Sequence, residues 1–270
     1  MSLNVNEIKL GVIGCGKMAS AILGGIVKNN FLPKENISVF DINLEASASM
    51  CAKYGFEEAL SIDELVLNSD IVLLCVKPFV FREVLLEVKH KISDQLIISI
   101  LAGVKLEKYN KILPETPVVR VMPNTPALIG MGASALCKNS FVDESYFDFA
   151  KKLMKNCGEV IETTEDKIDI ITALSGSGPA YYYKIIDLMA KAAIKLGLDK
   201  KQAYLLSSQT ALGSAKMVIE NDFDINTLIK NVTTPGGCTE VGNEVLNNSN
   251  IDEIIDKTIK DTMEKSIQLG

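Results

Sequence analysis

Over the first 162 residues, short unbroken apolar runs alternate with stretches whose apolar positions recur at helical spacing. "KLGVI" leads to "MASAILGGIVKNN", "ISVF" to "LEASASMCAKYG" and "DIVLLCV" to "FVFREVLLEVKH", with "QLIISIL" and "VVRVM" beyond them. A strand that is apolar at nearly every position has no wet face, so each is expected to be covered on both sides. Strand and helix in alternation predict a doubly wound, mostly parallel α/β sheet. "ASALC" and "GEVIET", on either side of the helical "ESYFDFAKKLMKN", are expected to extend it.

After Thr163 the strand signal stops. "KIDIITAL", "AYYYKIIDLMAKAAIKLG", "KKQAYLLSSQTALGSAKMVIE", "INTLIKNV", "CTEVGNEVLNN" and "IDEIIDKTIKDTMEKSIQ" all have helical period. The expected division is an α/β domain over 1–162 and an all-α domain over 163–270. Segments such as "LLSSQTALGSAKMVI" carry apolar residues around more than one face, more than a small bundle buries. A homodimer that interlocks these helices is the expected consequence.

Composition narrows the function. The 270 residues carry 28 Lys and Arg against 34 Asp and Glu, and no basic block long enough to follow a phosphate backbone, so nucleic acid is not expected as a partner. No apolar run reaches the roughly 18 residues of a spanning helix. The opening "MSLNVNEIKLG" leads into a strand and not a signal peptide, so a cytoplasmic protein without membrane contact is expected. Six cysteines (Cys15, Cys51, Cys75, Cys137, Cys157, Cys238) form no CxxC pair and there is one histidine, His90, so neither a metal site nor a disulfide framework is expected. His90, in the charged helix end "EVKHKISD", reads as a solvated residue and not a catalytic one.

"KLGVIGCGKMASAILGG" sets Gly14, Gly16 and Ala19 at the G-x-G-x-x-A spacing, straight after a strand and at the opening of a helix. The first glycine permits a tight turn, the second lets the backbone approach a pyrophosphate, and the small third residue lets helix pack on strand. The helix N-terminus then faces the phosphates. Gly14, Cys15, Gly16, Lys17 and Met18 are therefore assigned to a dinucleotide, with a plain tight turn as the alternative. Asp41 ends "ISVFD", where an acidic residue accepts hydrogen bonds from both adenosine ribose hydroxyls and repels a 2′-phosphate. No arginine follows in "DINLEASA", so between NADH and NADPH the sequence leans to NADH; a turn-forming Asp is the alternative.

"GVIGCGKMASAI", "LLCVKP", "SILAGV", "VVRVMPNTPALIG", "ALSGSGPAYYY" and "NVTTPGGCTEVG" stand in the order and spacing of the pyrroline-5-carboxylate reductases, a family the chain resembles from about Lys9 to its C-terminus. The resemblance implies a Rossmann-type domain, a helical dimerisation domain, often rings of dimers, and hydride transfer from NAD(P)H to the cyclic imine 1-pyrroline-5-carboxylate to make proline. It implies that Thr239 hydrogen-bonds the ring nitrogen with Cys238 beside the substrate, and that Val76, Lys77 and Pro78 lie at the nicotinamide and its ribose, with Ala102 nearby. Asn231 resembles a residue that reaches the cofactor from the helical domain, and Glu165 one that lines the proline site in some members; either also fits a helix cap.

The residues themselves suit that chemistry. Hydride adds most easily to an imine whose nitrogen is already protonated, so positioning and a hydrogen bond suffice without a catalytic His. Backbone N–H groups of Gly236, Gly237, Cys238 and Thr239, at the opening of a helix, suit a substrate carboxylate, although a helix-breaking turn also accounts for "TTPGG". Lys77 follows "DIVLLCV" at the carboxyl edge of the sheet, where ligands bind in such folds. Its role reads as positional and electrostatic, with a surface lysine as the alternative.

"ALSGSGPAYYY" looks like a second phosphate loop but follows a helix. Pro179 suits a first helical turn, and Ser175, Ser177 and the glycine backbone are expected to present a helix N-terminus to the crevice near the reacting ring; a capped helix start is the alternative. In "MPNTP" the prolines are expected to stiffen a loop around Asn124 under the nicotinamide. Cys15, Cys75 and Cys238 fall in or beside these motifs, which predicts sensitivity to alkylation with NADH protecting Cys15, unless they are small space fillers.

Three positions depart from the family pattern: Glu240 replaces an apolar residue after Thr239, Ile62 an asparagine on the adenine side, and Met131 a frequent glutamate. Two other functions compete with this one. The β-hydroxyacid dehydrogenases carry a catalytic lysine four residues past a GSG, where this chain has Tyr182, the nearest lysine being Lys184. A non-catalytic NAD(P)H sensor would not need the retained Thr239.

Overall fold

The computed structural model describes residues 4–220 and 224–269. They fall into two compact units: the chain up to Ser177 together with the residues from Thr262 onward, and Gly178–Asp261.

In the first unit, β1 (Leu10–Ile13), β2 (Ile37–Phe40), β3 (Glu57–Glu58), β4 (Ile71–Leu74), β5 (Leu96–Ser99), β6 (Val118–Met122), β7 (Gly132–Lys138) and β8 (Gly158–Glu162) form one sheet. The strand order is β3-β2-β1-β4-β5-β6-β7-β8. Neighbours are parallel except β6 with β7. The short connection from β6 to β7 cannot carry the crossover a parallel neighbour needs, so β7 runs back beside β6. Strand order reverses at β1, and this opens a crevice outside the carboxyl ends of β1 and β4.

Helices α1 (Lys17–Lys28), α2 (Leu44–Tyr54), α3 (Ile62–Leu67), α4 (Phe81–Val88), α5 (Leu106–Ile112) and α6 (Glu144–Lys155) cover both faces. Successive strand side chains point to opposite sides. Leu10, Val12, Leu73 and Ile98 pack with Ile22 and Ile26 of α1 and Leu153 of α6. Ile13, Val72, Leu74 and Ile97 pack with Leu65 of α3, Leu85 of α4 and Tyr109 of α5. Every residue of β1, β4 and β5 is buried, as their unbroken apolar runs predict. The periodicity misses β3, which is a pair of exposed glutamates, and the short α3 and α5, which are too brief for a helical pattern to declare itself.

Beyond β8 the chain coils through a 3-10 turn at Glu165–Lys167, α7 (Ile168–Ile171) and a π turn at Thr172–Gly176. The start of "ALSGSG" is therefore helical and not an open glycine loop: the Ser177 N–H donates to the Thr172 carbonyl at 2.8 Å, five residues back. Asn124, buried, fastens this turn. Its Nδ2 donates to the Ser175 carbonyl at 3.1 Å while its Oδ1 accepts the Ala133 N–H at 2.9 Å.

The second unit holds α8 (Gly178–Lys195), α9 (Lys200–Glu220), α10 (Ile225–Val232), α11 (Cys238–Asn247) and most of α12 (Ile251–Leu269). None of its described residues is in a strand. Helices α8 and α9 pair, with Tyr204 donating to Asp187 at 2.7 Å. Of the 21 residues in α9 only Ala203 is buried. Tyr182, Leu188, Leu205, Leu206, Met217 and Ile219 are all exposed. Helices that are apolar around more than one face need a further surface to cover them. No described helix is long and apolar enough to cross a membrane.

Candidate functional site

The turn after β1 is built for close approach. Gly14 has φ +98°, and a Cβ on it would lie 2.8 Å from the Cys75 carbonyl carbon, so no side chain fits. Around a Cβ on Gly16, by contrast, nothing lies within 4 Å. Gly16 caps α1 and no side chain occupies the cap. The first backbone N–H groups of α1, at Lys17 and Met18, thus open onto space that a pyrophosphate fits.

A cavity of about 470 Å³ lies outside the carboxyl ends of β1, β2 and β4, bordered by Gly14, Gly16, Asp41, Val76 and Lys77. Ile42, Ile62, Phe79 and Val84 give it an apolar wall, and Glu83 and Glu87 of α4 add carboxylates. Ile62, read from the sequence as a departure from an asparagine, lines the cavity with an apolar side chain. Pro78 opens a 3-10 turn, Pro78–Val80, whose cap is the exposed Lys77. No sequence motif points to Glu83, Glu87, Ile42 or Phe79. Ile42 and Phe79, 93% and 85% exposed, carried the one available signal, a large apolar side chain just past a strand end.

Asp41 joins two turns. Its Oδ2 accepts the Cys15 N–H at 2.7 Å and its Oδ1 accepts the Asn43 N–H at 2.8 Å. The carboxylate ties the turn after β1 to the turn after β2 and keeps further lone pairs for a ligand. Burial, and then the charge of Asp41, push the Cys15 thiol up to about 12. Burial, and then Cys15, raise the Cys75 thiol as well. Both stay protonated at neutral pH and fill space.

Ala102 is exposed in the turn between β5 and α5, flanked by buried Leu101 and Gly103. Glu165 lies in the same unit. Its Oε1 accepts from Arg120 Nη1 at 3.0 Å and from the Leu106 N–H at 2.7 Å. Arg120, 2% exposed in β6, is assigned to the site by no motif, although a charge inside the apolar "VVRVM" marks a buried partner elsewhere. Beneath this turn the buried Ser99 and Tyr109 hydroxyls share a short hydrogen bond. Ser177 is half-buried, and its N–H is spent on the π turn.

In the second unit Asn231 is exposed on α10. Gly236, at φ +74°, turns the chain into α11, whose cap is Gly237 and whose first residues are the exposed Cys238 and Thr239. Two of the four backbone donors expected for a carboxylate are engaged within the turn. The Gly237 N–H donates to the Thr234 carbonyl at 2.8 Å, and the Gly236 N–H donates to Glu240 Oε2 at 2.7 Å. Glu240 therefore places a carboxylate on one of the four donors expected there.

Comparison with known proteins agrees with both halves. The family model described as pyrroline-5-carboxylate reductase dimerisation matches residues 165–269, and one described as NADP oxidoreductase, coenzyme F420-dependent, matches residues 9–103. Pyrroline-5-carboxylate reductase 1 of Bacillus subtilis is 36% identical over 268 residues, covering 98% of this chain and 90% of the relative. Among solved structures, a pyrroline-5-carboxylate reductase from Coxiella burnetii is 35% identical with a TM-score of 0.93, covering 98% of this chain and 99% of that one. The Plasmodium falciparum pyrroline carboxylate reductase, solved with NADP bound, is 33% identical with a TM-score of 0.89, covering 99% and 100%. The sheet unit is thus an NAD(P)H-binding domain and the exposed apolar helices belong to a dimerisation domain. Likeness along the whole chain displaces the hydroxyacid dehydrogenase and sensor readings: the chain belongs to the pyrroline-5-carboxylate reductase family and is an NAD(P)H-dependent oxidoreductase of proline biosynthesis.

Proposed function

We propose that this reductase draws its hydride from NADH in preference to NADPH. The observation that carries this reading is the charge at the cavity. Asp41, Glu83 and Glu87 border it against one lysine, Lys77. A 2′-phosphate there would face carboxylates with no arginine to neutralise them.

When bound, the reduced nicotinamide supplies a hydride to the imine carbon. Gly14, Cys15, Gly16, Lys17 and Met18 serve the pyrophosphate, Asp41 the adenosine ribose, and Val76, Lys77, Pro78, Ala102 and Asn231 the nicotinamide end. Thr239 accepts a hydrogen bond from the protonated ring nitrogen and fixes the ring. Backbone donors at Gly236, Gly237, Cys238 and Thr239 receive the carboxylate, and Ser177 and Glu165 border the ring. A protonated imine plus a hydride gives a neutral secondary amine, so no side chain has to deliver a proton. Lys77 contributes charge and position. The working division is 1–162 for cofactor and 163–270 for substrate and dimerisation, in a homodimer or a ring of dimers.

Steady-state kinetics with 1-pyrroline-5-carboxylate test the cofactor reading, with a small β-keto acid as control substrate. The expected result is a higher kcat/KM with NADH than with NADPH and no turnover of the keto acid. Equal or better use of NADPH overturns the preference.

A further inference from the structure

The last helix ends in the first unit. From Thr262 onward α12 belongs with the sheet, although the helix begins at Ile251 in the other unit. Thr262 and Met263 are half-buried and Ser266 is buried, the spacing of one helix face. Ser266 Oγ donates to Asp169 Oδ1 at 2.7 Å, and both residues are buried. One turn further on, Leu269 meets Gly103. A Cβ on Gly103 would lie 3.2 Å from the Leu269 carbonyl oxygen and 3.4 Å from its Cβ, and Gly103 itself has φ +74°.

These two contacts reach opposite parts of the site. Asp169 lies in α7, directly before the π turn at Thr172–Gly176 that leads to Ser177. Gly103 follows Ala102 in the turn after β5. Two residues three apart on one helix therefore touch the Asp169 side chain, next to the turn on the substrate side, and the Gly103 backbone on the cofactor side. A buried carboxylate oxygen that loses its donor is costly, so α7 must shift if Ser266 stops holding it.

We propose that the end of α12 is a positioning element for hydride transfer: Ser266 and Leu269 set the Leu101–Val104 turn against the Thr172–Gly176 turn. The proposal rests on the reading of Ala102 as a nicotinamide contact. Ser266 touches neither substrate nor cofactor in this scheme and is a positioning residue. A misplacement of about 1 Å can lower the rate of such a step about a hundredfold, so a small shift of either turn lowers kcat with little effect on binding.

The test compares Ser266→Ala, Ser266→Thr and Ala102→Leu with the unaltered enzyme, using NADH deuterated at the transferred position. S266A is expected to lower kcat about tenfold, enlarge the isotope effect and leave the NADH Kd within about twofold. Hydrogen exchange of peptides covering residues 100–106 and 168–177 is expected to quicken, and Ser266→Thr, which keeps the hydroxyl, to restore both readouts. If S266A matches the unaltered enzyme in kcat, isotope effect and exchange while Ala102→Leu impairs NADH binding, the positioning role is overturned and the reading of Ala102 stands. If Ala102→Leu changes neither NADH binding nor turnover, the reading beneath the proposal fails. Should S266A not fold, Gly103→Ala, which presses on Leu269 from the other side, carries the same measurements.

Discussion

Oε1 of Glu165 lies 3.0 Å from Nη1 of Arg120 and also accepts the Leu106 N–H, so one carboxylate oxygen joins β6, the start of α5 and the segment after β8. The two ends of this ion pair are unequal, with side chains 2% exposed at Arg120 and 30% at Glu165. Removing Glu165 strands a buried guanidinium, whereas removing Arg120 leaves a carboxylate that water reaches. Glu165→Ala is expected to cost about 3 kcal/mol or more, and Arg120→Met distinctly less. Urea unfolding at one fixed protomer concentration measures both, since dimerisation adds to apparent stability. The reverse order would contradict the burial argument.

Asp41→Asn keeps an acceptor for the Cys15 N–H but removes one of the three carboxylate charges at the cavity. The NADPH to NADH ratio of kcat/KM is expected to rise about tenfold, the scale of one charge-assisted hydrogen bond. Comparing both cofactors with the same imine checks it. An unchanged ratio would mean that Asp41 serves only the two turns it ties.

Glu240 holds the Gly236 N–H at 2.7 Å, a donor proposed for the substrate carboxylate. Glu240→Ala is expected to lower the KM for the imine about threefold to tenfold, with kcat little changed, by freeing that donor and removing a like charge. A higher KM in initial-rate measurements would show that the glutamate helps substrate binding instead.

Thiol chemistry follows burial. Cys238 is exposed, while Cys15, Cys137 and Cys157 are buried. Burial pushes Cys137 up to about 12 and Cys157 to about 11. Iodoacetamide near neutral pH is expected to label Cys238 first, and Cys238→Ser to remove that fast phase, as peptide mass mapping would register. Fast labelling of Cys15 that NADH blocks would contradict its burial.

The same shifts set a pH dependence. Cys15 moves from 9.0 unfolded to about 12 folded, so between those values the folded chain retains a proton the unfolded chain has lost. Its contribution is complete below pH 9.0 and is lost as pH rises towards 12, with a slope of about 1.4 kcal/mol per pH unit for one proton. Urea midpoints are expected to fall as pH rises above 9.0, and Cys15→Ala to flatten the fall. An identical slope in that variant would assign the loss to other groups.

Much of this enzyme is legible along the chain because its signals are local. Unbroken apolar runs declare β1, β4 and β5, and a glycine pair straight after a strand declares the turn against Cys75. The motif set from "GVIGCGKMASAI" to "NVTTPGGCTEVG" carries the family, since each motif is a short segment whose chemistry does not depend on what folds against it. Partnership across the chain is different. Asp41 is legible as an acidic residue after β2, but not as the acceptor that joins two turns. "ALSGSG" reads as a loop, because nothing in its own residues shows that Asn124, 51 positions earlier, will hold Ser175 in a π turn. Ser266 lies 97 positions from Asp169, and no periodicity links them. The sequence determined which segments become strand or helix and which chemistry they carry; the tertiary structure alone decided which buried donor meets which acceptor, because a desolvated polar group takes whatever partner packing brings to it.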